Sequence, residues 1–144
     1  MPSIPASVAG FISAGRVGRL GTAGASGQPL VVPICYAFDG ESLFSAVDAK
    51  PKSVAPGRLG RIRNIRENPK VSVVIDQYEE DWSRLRYVEV QGRAEILSGG
   101  PDFSRGIDIL VAKYPQYRTM GLSRDSGVMI KVTPARIREW RYST

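Results

Sequence analysis

Hydrophobic and polar positions along the chain follow two rhythms, one of roughly three to four residues and one of two. Val8, Phe11 and Ile12 fall on one face of a short predicted helix, Ala6 to Ala14, with Ser3 or Pro5 near its start and Gly15 to end it. Arg16 to Ala23 reads as a strand, and Gly24-Ala25-Ser26-Gly27 as a turn. Pro29 to Phe38 is a nearly continuous apolar strand, and Pro33 in mid-run predicts an edge position or a bulge. Asp39-Gly40 predicts a two-residue type I′ hairpin turn, with Glu41 to Ala46 as the returning strand. After a loop with Pro51, Pro56 and Gly57, Arg58 to Asn68 reads as a helix with Leu59, Ile62 and Ile65 as its apolar stripe. Asn68-Pro69 stops it, because the residue before proline is pushed out of helical space.

The second half turns to the shorter rhythm. Val71 to Tyr78 is β-branched and strand-like. In Arg86 to Leu97, Tyr87, Glu89, Gln91 and Arg93 oppose Val88, Val90, Gly92 and Ala94, the alternation of a strand with one buried face. Asp102 to Lys113 reads as a helix capped by Asp102, with Phe103, Ile107, Leu110 and Val111 inward. Val128 to Thr133 and Ala135 to Tyr142 read as two closing strands around Pro134. The sum is six to seven antiparallel strands with two or three short helices, a mainly β chain that favours a barrel or sandwich over a doubly wound sheet. Neither GxGxxG nor GxxxxGK[ST] occurs, so Rossmann and P-loop readings lose their main support.

Composition narrows the chemistry. The 144 residues fit one domain, residues 1–144. No apolar run approaches the roughly 20 residues of a membrane span, and MPSIPASVAGFISAG lacks a secretory signal's basic start and long apolar core. One cysteine, Cys35, excludes an internal disulfide; a cytoplasmic location and a buried structural thiol are the expectations. Histidine is absent, which removes a Ser-His-Asp triad, a His-bearing zinc site and imidazole acid-base chemistry, and no metal site is expected. An enzyme of this composition draws its chemistry from a cofactor.

Charge is concentrated. Residues 50 to 70 carry Lys50, Lys52, Arg58, Arg61, Arg63, Arg66 and Lys70 against Glu67 alone, and this surplus equals the net charge of the whole chain, +6. A cationic block in a neutral body points to a local anion site, at a strand end and at the start of a helix, where free N–H groups also favour anions. The alternative is a solvated helix face, which is the reading for Arg63 and Arg66. Nucleic acid is a poor fit, because the segment has no aromatic residue for base stacking and no recognition motif. Trp82, in the acidic turn EEDWSRLRY, either covers a planar cofactor or a dimer mate or packs on the rim of its own barrel. Trp140, in REWRY, either lines a pocket or, as the favoured reading, packs in the core. Asp76, at the end of VVID, caps the next loop or faces a ligand, the loop role being favoured.

The order of these parts carries a resemblance. QPLVVPICYAFDGESLFSAVDAKPK, then a basic helix ending RNIRENP, then KVSVVIDQYEEDWSRLRYVEVQGRAEIL resembles the split β-barrel flavin and deazaflavin proteins. That superfamily includes pyridoxamine 5′-phosphate oxidases and the group B deazaflavin-dependent oxidoreductases, and the likeness is greatest to the small mycobacterial-type F420-dependent members. It covers Val17 to about Leu97 well and VTPARIREW adequately, while Gly99 to Gly127 matches loosely.

The resemblance implies a homodimer with the cofactor in a groove between two barrels. It places the cofactor phosphate on Lys50, Lys52, Arg58 and Arg61, with Asn64 and Ile65 following on the same helix. Pro33, Ile34 and Cys35 run beside the ring system, and Trp82 and Trp140 come from the partner chain. The implied activity is hydride transfer between coenzyme F420 and a small electron-poor organic acceptor. Seven clustered cations suit the longer polyanion, F420, better than flavin mononucleotide (FMN), which carries one phosphate. The alternatives are an F420 or FMN carrier without turnover, and an FMN-dependent pyridoxamine-phosphate-oxidase-like enzyme. The latter's usual histidine-bearing C-terminal motif is absent. Haem binding is disfavoured for want of an axial histidine. Water, Tyr36, Tyr78 and Tyr87 stay open as proton donors, and no catalytic residue is assigned.

Overall fold

A computed structural model describes residues 3–47, 59–125 and 127–143. The described chain runs α1 (Ala6–Ala14), β1 (Gly18–Ala23), β2 (Pro29–Ile34), β3 (Ala37–Phe38), β4 (Leu43–Val47), α2 (Gly60–Glu67), β5 (Lys70–Gln77), β6 (Arg86–Leu97), α3 (Pro101–Lys113) and β7 (Val128–Arg141). Single 3₁₀ turns lie at Trp82–Arg84 and Pro115–Arg118. The fold is mainly β: seven strands among the described residues form one antiparallel sheet in the order β2-β1-β5-β6-β7-β4-β3.

That order forces the sheet to curl. β2 and β3 occupy opposite edges, yet only Cys35 and Tyr36 separate them. Laid flat, the edges would stand about 29 Å apart, six spacings of about 4.8 Å. Three residue steps reach at most about 11 Å. The sheet therefore rolls until its edges approach, giving a split β-barrel with a seam at Cys35-Tyr36.

Alternation selects what fills it. Leu20, Val73, Ile75, Val88, Val90 and Val132 point inward and are almost wholly buried, with Ile12 of α1 and Ile62 and Ile65 of α2 packed against them. A second apolar cluster lies under α3, where Phe103, Ile107 and Leu110 meet Phe44 and Met129. β4 separates the two: Leu43 and Val47 face the first, Phe44 and Ala46 the second, so every one of its residues is buried.

Several local expectations need correction. The apolar run from Pro29 is broken at Cys35-Tyr36 rather than continuous, although Pro33 does sit on an edge strand. The β3–β4 hairpin exists, but among the described residues no non-glycine residue has positive φ, so Asp39 cannot form a type I′ turn. Instead the Asp39 side-chain oxygen accepts from the amides of Glu41 and Ser42 at 2.9 and 2.7 Å across a four-residue connection. Pro134 does not divide the last strand. β4 pairs with β7 only as far as Val132, and on the β6 side the register shifts at Gln91/Gly92, opposite Pro134. Proline is accommodated where the ladder is already irregular. Asp102 does not cap α3; Gly100 holds the cap position, and Asp102 pairs with Lys131 at 2.9 Å and Arg105 at 3.1 Å.

Candidate functional site

The seam holds a cavity of about 180 Å³ lined by Val17, Pro33, Ile34, Cys35, Ser45, Ala46, Arg61 and Tyr117. Val17 comes from just before β1, Pro33 and Ile34 from the end of β2 with Cys35 directly after it, Ser45 and Ala46 from β4, and Arg61 from α2. Four residues anticipated from sequence thus meet here: Pro33, Ile34, Cys35 and Arg61. Ala46 and Arg61 both line the cavity, and the stretch carrying Lys50, Lys52 and Arg58 joins β4 to α2. Those three cations lie outside the described residues.

Cys35 is exposed, which corrects the expectation of a buried thiol. The reason is the break in the strand: the backbone leaves β2 after Ile34, and Tyr36, not Cys35, turns inward. Tyr36 is fully buried, and its hydroxyl donates to the Ile12 carbonyl at 2.5 Å. Its amide donates to the Tyr114 hydroxyl at 3.2 Å, and that hydroxyl lies 2.8 Å from the Arg16 carbonyl and 3.0 Å from the Tyr36 carbonyl. A side chain on Gly15 would collide with the Tyr36 hydroxyl and Ile75, so only glycine fits there.

Two cations enclose these rings. The Lys113 ammonium sits 4.0 Å from the Tyr36 ring centroid and donates to the Gly15 carbonyl at 2.5 Å. The Arg16 guanidinium lies 4.6 Å from the Tyr114 centroid and donates to the Lys113 carbonyl at 3.1 Å. Burial, then the nearby Arg16 charge, pulls Lys113 down to about 8. Burial, with Tyr114 beside it, raises the Tyr36 hydroxyl well above the ordinary phenol value. The Tyr36 hydroxyl proton is thus engaged on the Ile12 carbonyl inside the core.

Other anticipated residues are placed differently. Asn64 is half-buried, and its amide donates to the buried Thr22 hydroxyl at 3.0 Å, tying α2 to β1. Ile65 belongs to the core. Asp76 pairs with Arg19 at 3.1 Å instead of capping a loop. Trp140 is 42% exposed, which corrects the core assignment. It stacks on Tyr87, ring centroids 5.7 Å apart. Trp82 is 59% exposed, and its indole N–H donates to the Tyr78 hydroxyl at 3.4 Å. Neither tryptophan lines the cavity of its own chain. The register nevertheless brings one of them to the same end of the sheet: Arg19 lies opposite Val74 and pairs with Asp76, Asp76 lies opposite Tyr87, and Tyr87 opposite Trp140.

Sequence reasoning missed Val17, Ser45, Ala46 and Tyr117. Val17 precedes its strand and Tyr117 falls in the least patterned stretch. β4, buried on both faces, offers no alternation to mark Ser45 and Ala46.

About 180 Å³ is well below the 300–1,000 Å³ of pockets for cofactor-sized ligands. The described residues of one chain supply only part of such a site, yet the part fits a flavin-like group. Pro33 and Cys35 are exposed at the end of an edge strand, and Arg61 makes no ion pair among the described residues.

Comparison with known proteins agrees with this architecture. A 5a,11a-dehydrotetracycline/5a,11a-dehydrooxytetracycline reductase of Streptomyces rimosus is 31% identical over 91 residues, 62% of this chain; the match spans 61% of that relative's length. A conserved hypothetical protein of Mycobacterium tuberculosis, Rv2991, superposes with a TM-score of 0.76 at 23% identity, covering 98% of this chain and 86% of that one. An F420 reductase superposes with a TM-score of 0.68 at 23% identity, covering 94% and 98%. The family described as pyridoxamine 5′-phosphate oxidase matches residues 4–141, and the chain belongs to it.

Proposed function

We propose that the chain is an F420-dependent oxidoreductase that works as a homodimer, reducing a small electron-poor organic acceptor. The observation that carries this reading is the seam cavity, where the cationic stretch leaves β4 beside Ala46 and re-enters at Arg61. Arg61, with Lys50, Lys52 and Arg58, holds the coenzyme's phosphate and carboxylates; arginine adds forked donors to the charge. Backbone groups of Pro33–Cys35 fix the ring edge. When bound, the reduced deazaflavin supplies the hydride. The protein's part is to hold ring and acceptor in contact and exclude water, which lowers the barrier by positioning. With the Tyr36 hydroxyl proton engaged on Ile12, the proton comes from water, Tyr78 or Tyr87. Trp82 and Trp140 of a second copy add aromatic walls to the one that Tyr117 supplies at the cavity of its own chain.

The relative that reduces 5a,11a-dehydrotetracycline and 5a,11a-dehydrooxytetracycline supports an organic acceptor for this chain. The test is titration of the purified protein with F420 and with FMN, followed by reduced coenzyme with a panel of quinones and enones. Saturable F420 binding tighter than FMN, with acceptor-dependent oxidation of the reduced coenzyme, is expected. Tight binding without turnover on any acceptor would favour a carrier, and preference for FMN would overturn the coenzyme assignment.

A further inference from the structure

A second and larger cavity, about 530 Å³, opens on the outer face of the sheet. Gly21 and Ser72 contribute to it, and Lys70, Arg93 and Arg136 line it with no acidic residue among the lining. It is separate from the seam: Val17 lines one cavity and Gly21 the other, four residues or about 13 Å apart along the strand.

The charge arrangement here is unfavourable without a ligand. Lys70 on β5 lies directly opposite Arg93 on β6, and like charges in that position destabilise a sheet. Arg136 on β7 lies opposite Gln91, adding a third cation at the same end of the face. All three are exposed, and none makes an ion pair among the described residues. Surface cations can stand apart in water, but sequential pairing gives no reason to converge three of them on one cavity.

The backbone is shaped around the same spot. The β6–β7 register shifts at Gln91/Gly92, between Gln91 and Arg93 on one strand and beside Arg136 on the other. A side chain on Gly92 would collide with the Thr133 carbonyl, so that glycine is demanded by the irregular ladder. Gly21 is different. A Cβ there would rest 3.7 Å from the Ser72 carbonyl, an ordinary contact, and its φ is not positive. Packing does not require glycine at 21; its effect is to leave the cavity floor open.

We propose that this cavity is a binding site for a small organic phosphate, distinct from the seam cavity and independent of the coenzyme assigned there. Two guanidinium forks and one ammonium match a phosphate's charge and geometry. Ser72 and Gln91 add neutral hydrogen-bonding groups. The volume exceeds what a bare ion needs and falls in the range of small-molecule sites.

Isothermal titration of the full-length protein with inorganic pyrophosphate, at fixed ionic strength, tests this. Binding of pyrophosphate at a site dependent on Arg93 and Arg136, with Kd below about 1 mM, is expected. The paired change Arg93→Gln and Arg136→Gln should weaken it by about tenfold or more. Gly21→Val, which keeps every charge and fills the floor, should also weaken it, so a folding failure of one variant leaves the other informative. Arg61→Gln reports on the seam, whose cations would hold a second pyrophosphate; it should leave unchanged the binding that depends on Arg93 and Arg136. Citrate should bind more weakly than pyrophosphate at equal charge. The proposal is overturned by no binding to the unaltered protein, by equal loss in Arg61→Gln, by unchanged affinity in the paired variant and Gly21→Val, or by citrate binding as tightly. It is also overturned if the paired variant alters the mass of the assembly instead of the affinity, since the cations would then serve a contact between copies.

Discussion

Lys113 is held by one backbone acceptor and two aromatic faces, with Arg16, Cys35, Tyr36 and Tyr114 as the titratable or charged groups around it. Its ammonium titrates near 8 in the folded chain and near 10.5 when unfolded. Between those values the folded chain binds fewer protons than the unfolded one, so this residue makes stability rise with pH across the window. Below pH 8 the cost of burying the charge is fully present. Lys113→Met removes that dependence: the melting temperature of the variant relative to the unaltered protein should be highest at pH 7 and fall steadily by pH 9.5. A difference that stays constant with pH would show that Lys113 titrates as an ordinary surface lysine. Above pH 10 the raised Tyr36 acts in the opposite sense, because the folded chain keeps a proton that the unfolded chain loses. The same residues show where one-dimensional reading ends. Cys35 has an apolar sequence context, yet it is exposed because Tyr36 takes the inward position and satisfies its hydroxyl on Ile12, 24 residues earlier. Nothing in the neighbourhood of Cys35 along the chain announces that partner.

Elements were legible wherever one face is buried and the other wet. β6 spans Arg86–Leu97 as its alternation predicts, and α1 spans Ala6–Ala14 as predicted. Features set by two elements together were not. Pro134 looks like a strand breaker until its place beside the β6 irregularity is known. The close approach of α3 to the sheet depends on Gly106, and a Cβ there would crowd Met129 and lie 2.8 Å from the Phe44 ring. Gly106→Ala opposes two effects. Helix propensity favours alanine by about 1 kcal/mol, whereas overpacking a filled core costs about 1–3 kcal/mol. Phe44 is fully buried and has little room to move, so the second effect is expected to prevail, with a net loss of about 1 kcal/mol in urea denaturation. A net gain would mean that α3 can slide on the sheet.

At the scale of the molecule, the split barrel follows from a strand order that puts β2 and β3 at opposite edges with two residues between them. The cationic block was plain in the sequence, but its destination was not. Only the curled sheet brings Arg61 of α2 to the strand end at Cys35. The two exposed tryptophans became intelligible only as surface, since neither reaches the seam of its own chain. If a second copy supplies them, sedimentation should report a dimer at micromolar concentration, and Trp140→Ala should lower coenzyme affinity with little change in thermal stability; a monomer that binds coenzyme fully would remove the two-chain arrangement. The cationic site predicts a further asymmetry. Arg61→Ala should weaken F420 binding by about tenfold, and more at low salt, where screening is least.

The most direct measurement is the side-by-side titration of the unaltered protein and Arg61→Ala with F420 and FMN, read by coenzyme fluorescence. Saturable binding of F420 in preference to FMN, weakened by Arg61→Ala, is the predicted result. Failure to bind either cofactor, or F420 affinity indifferent to Arg61, would contradict the assignment of the seam as a cofactor site.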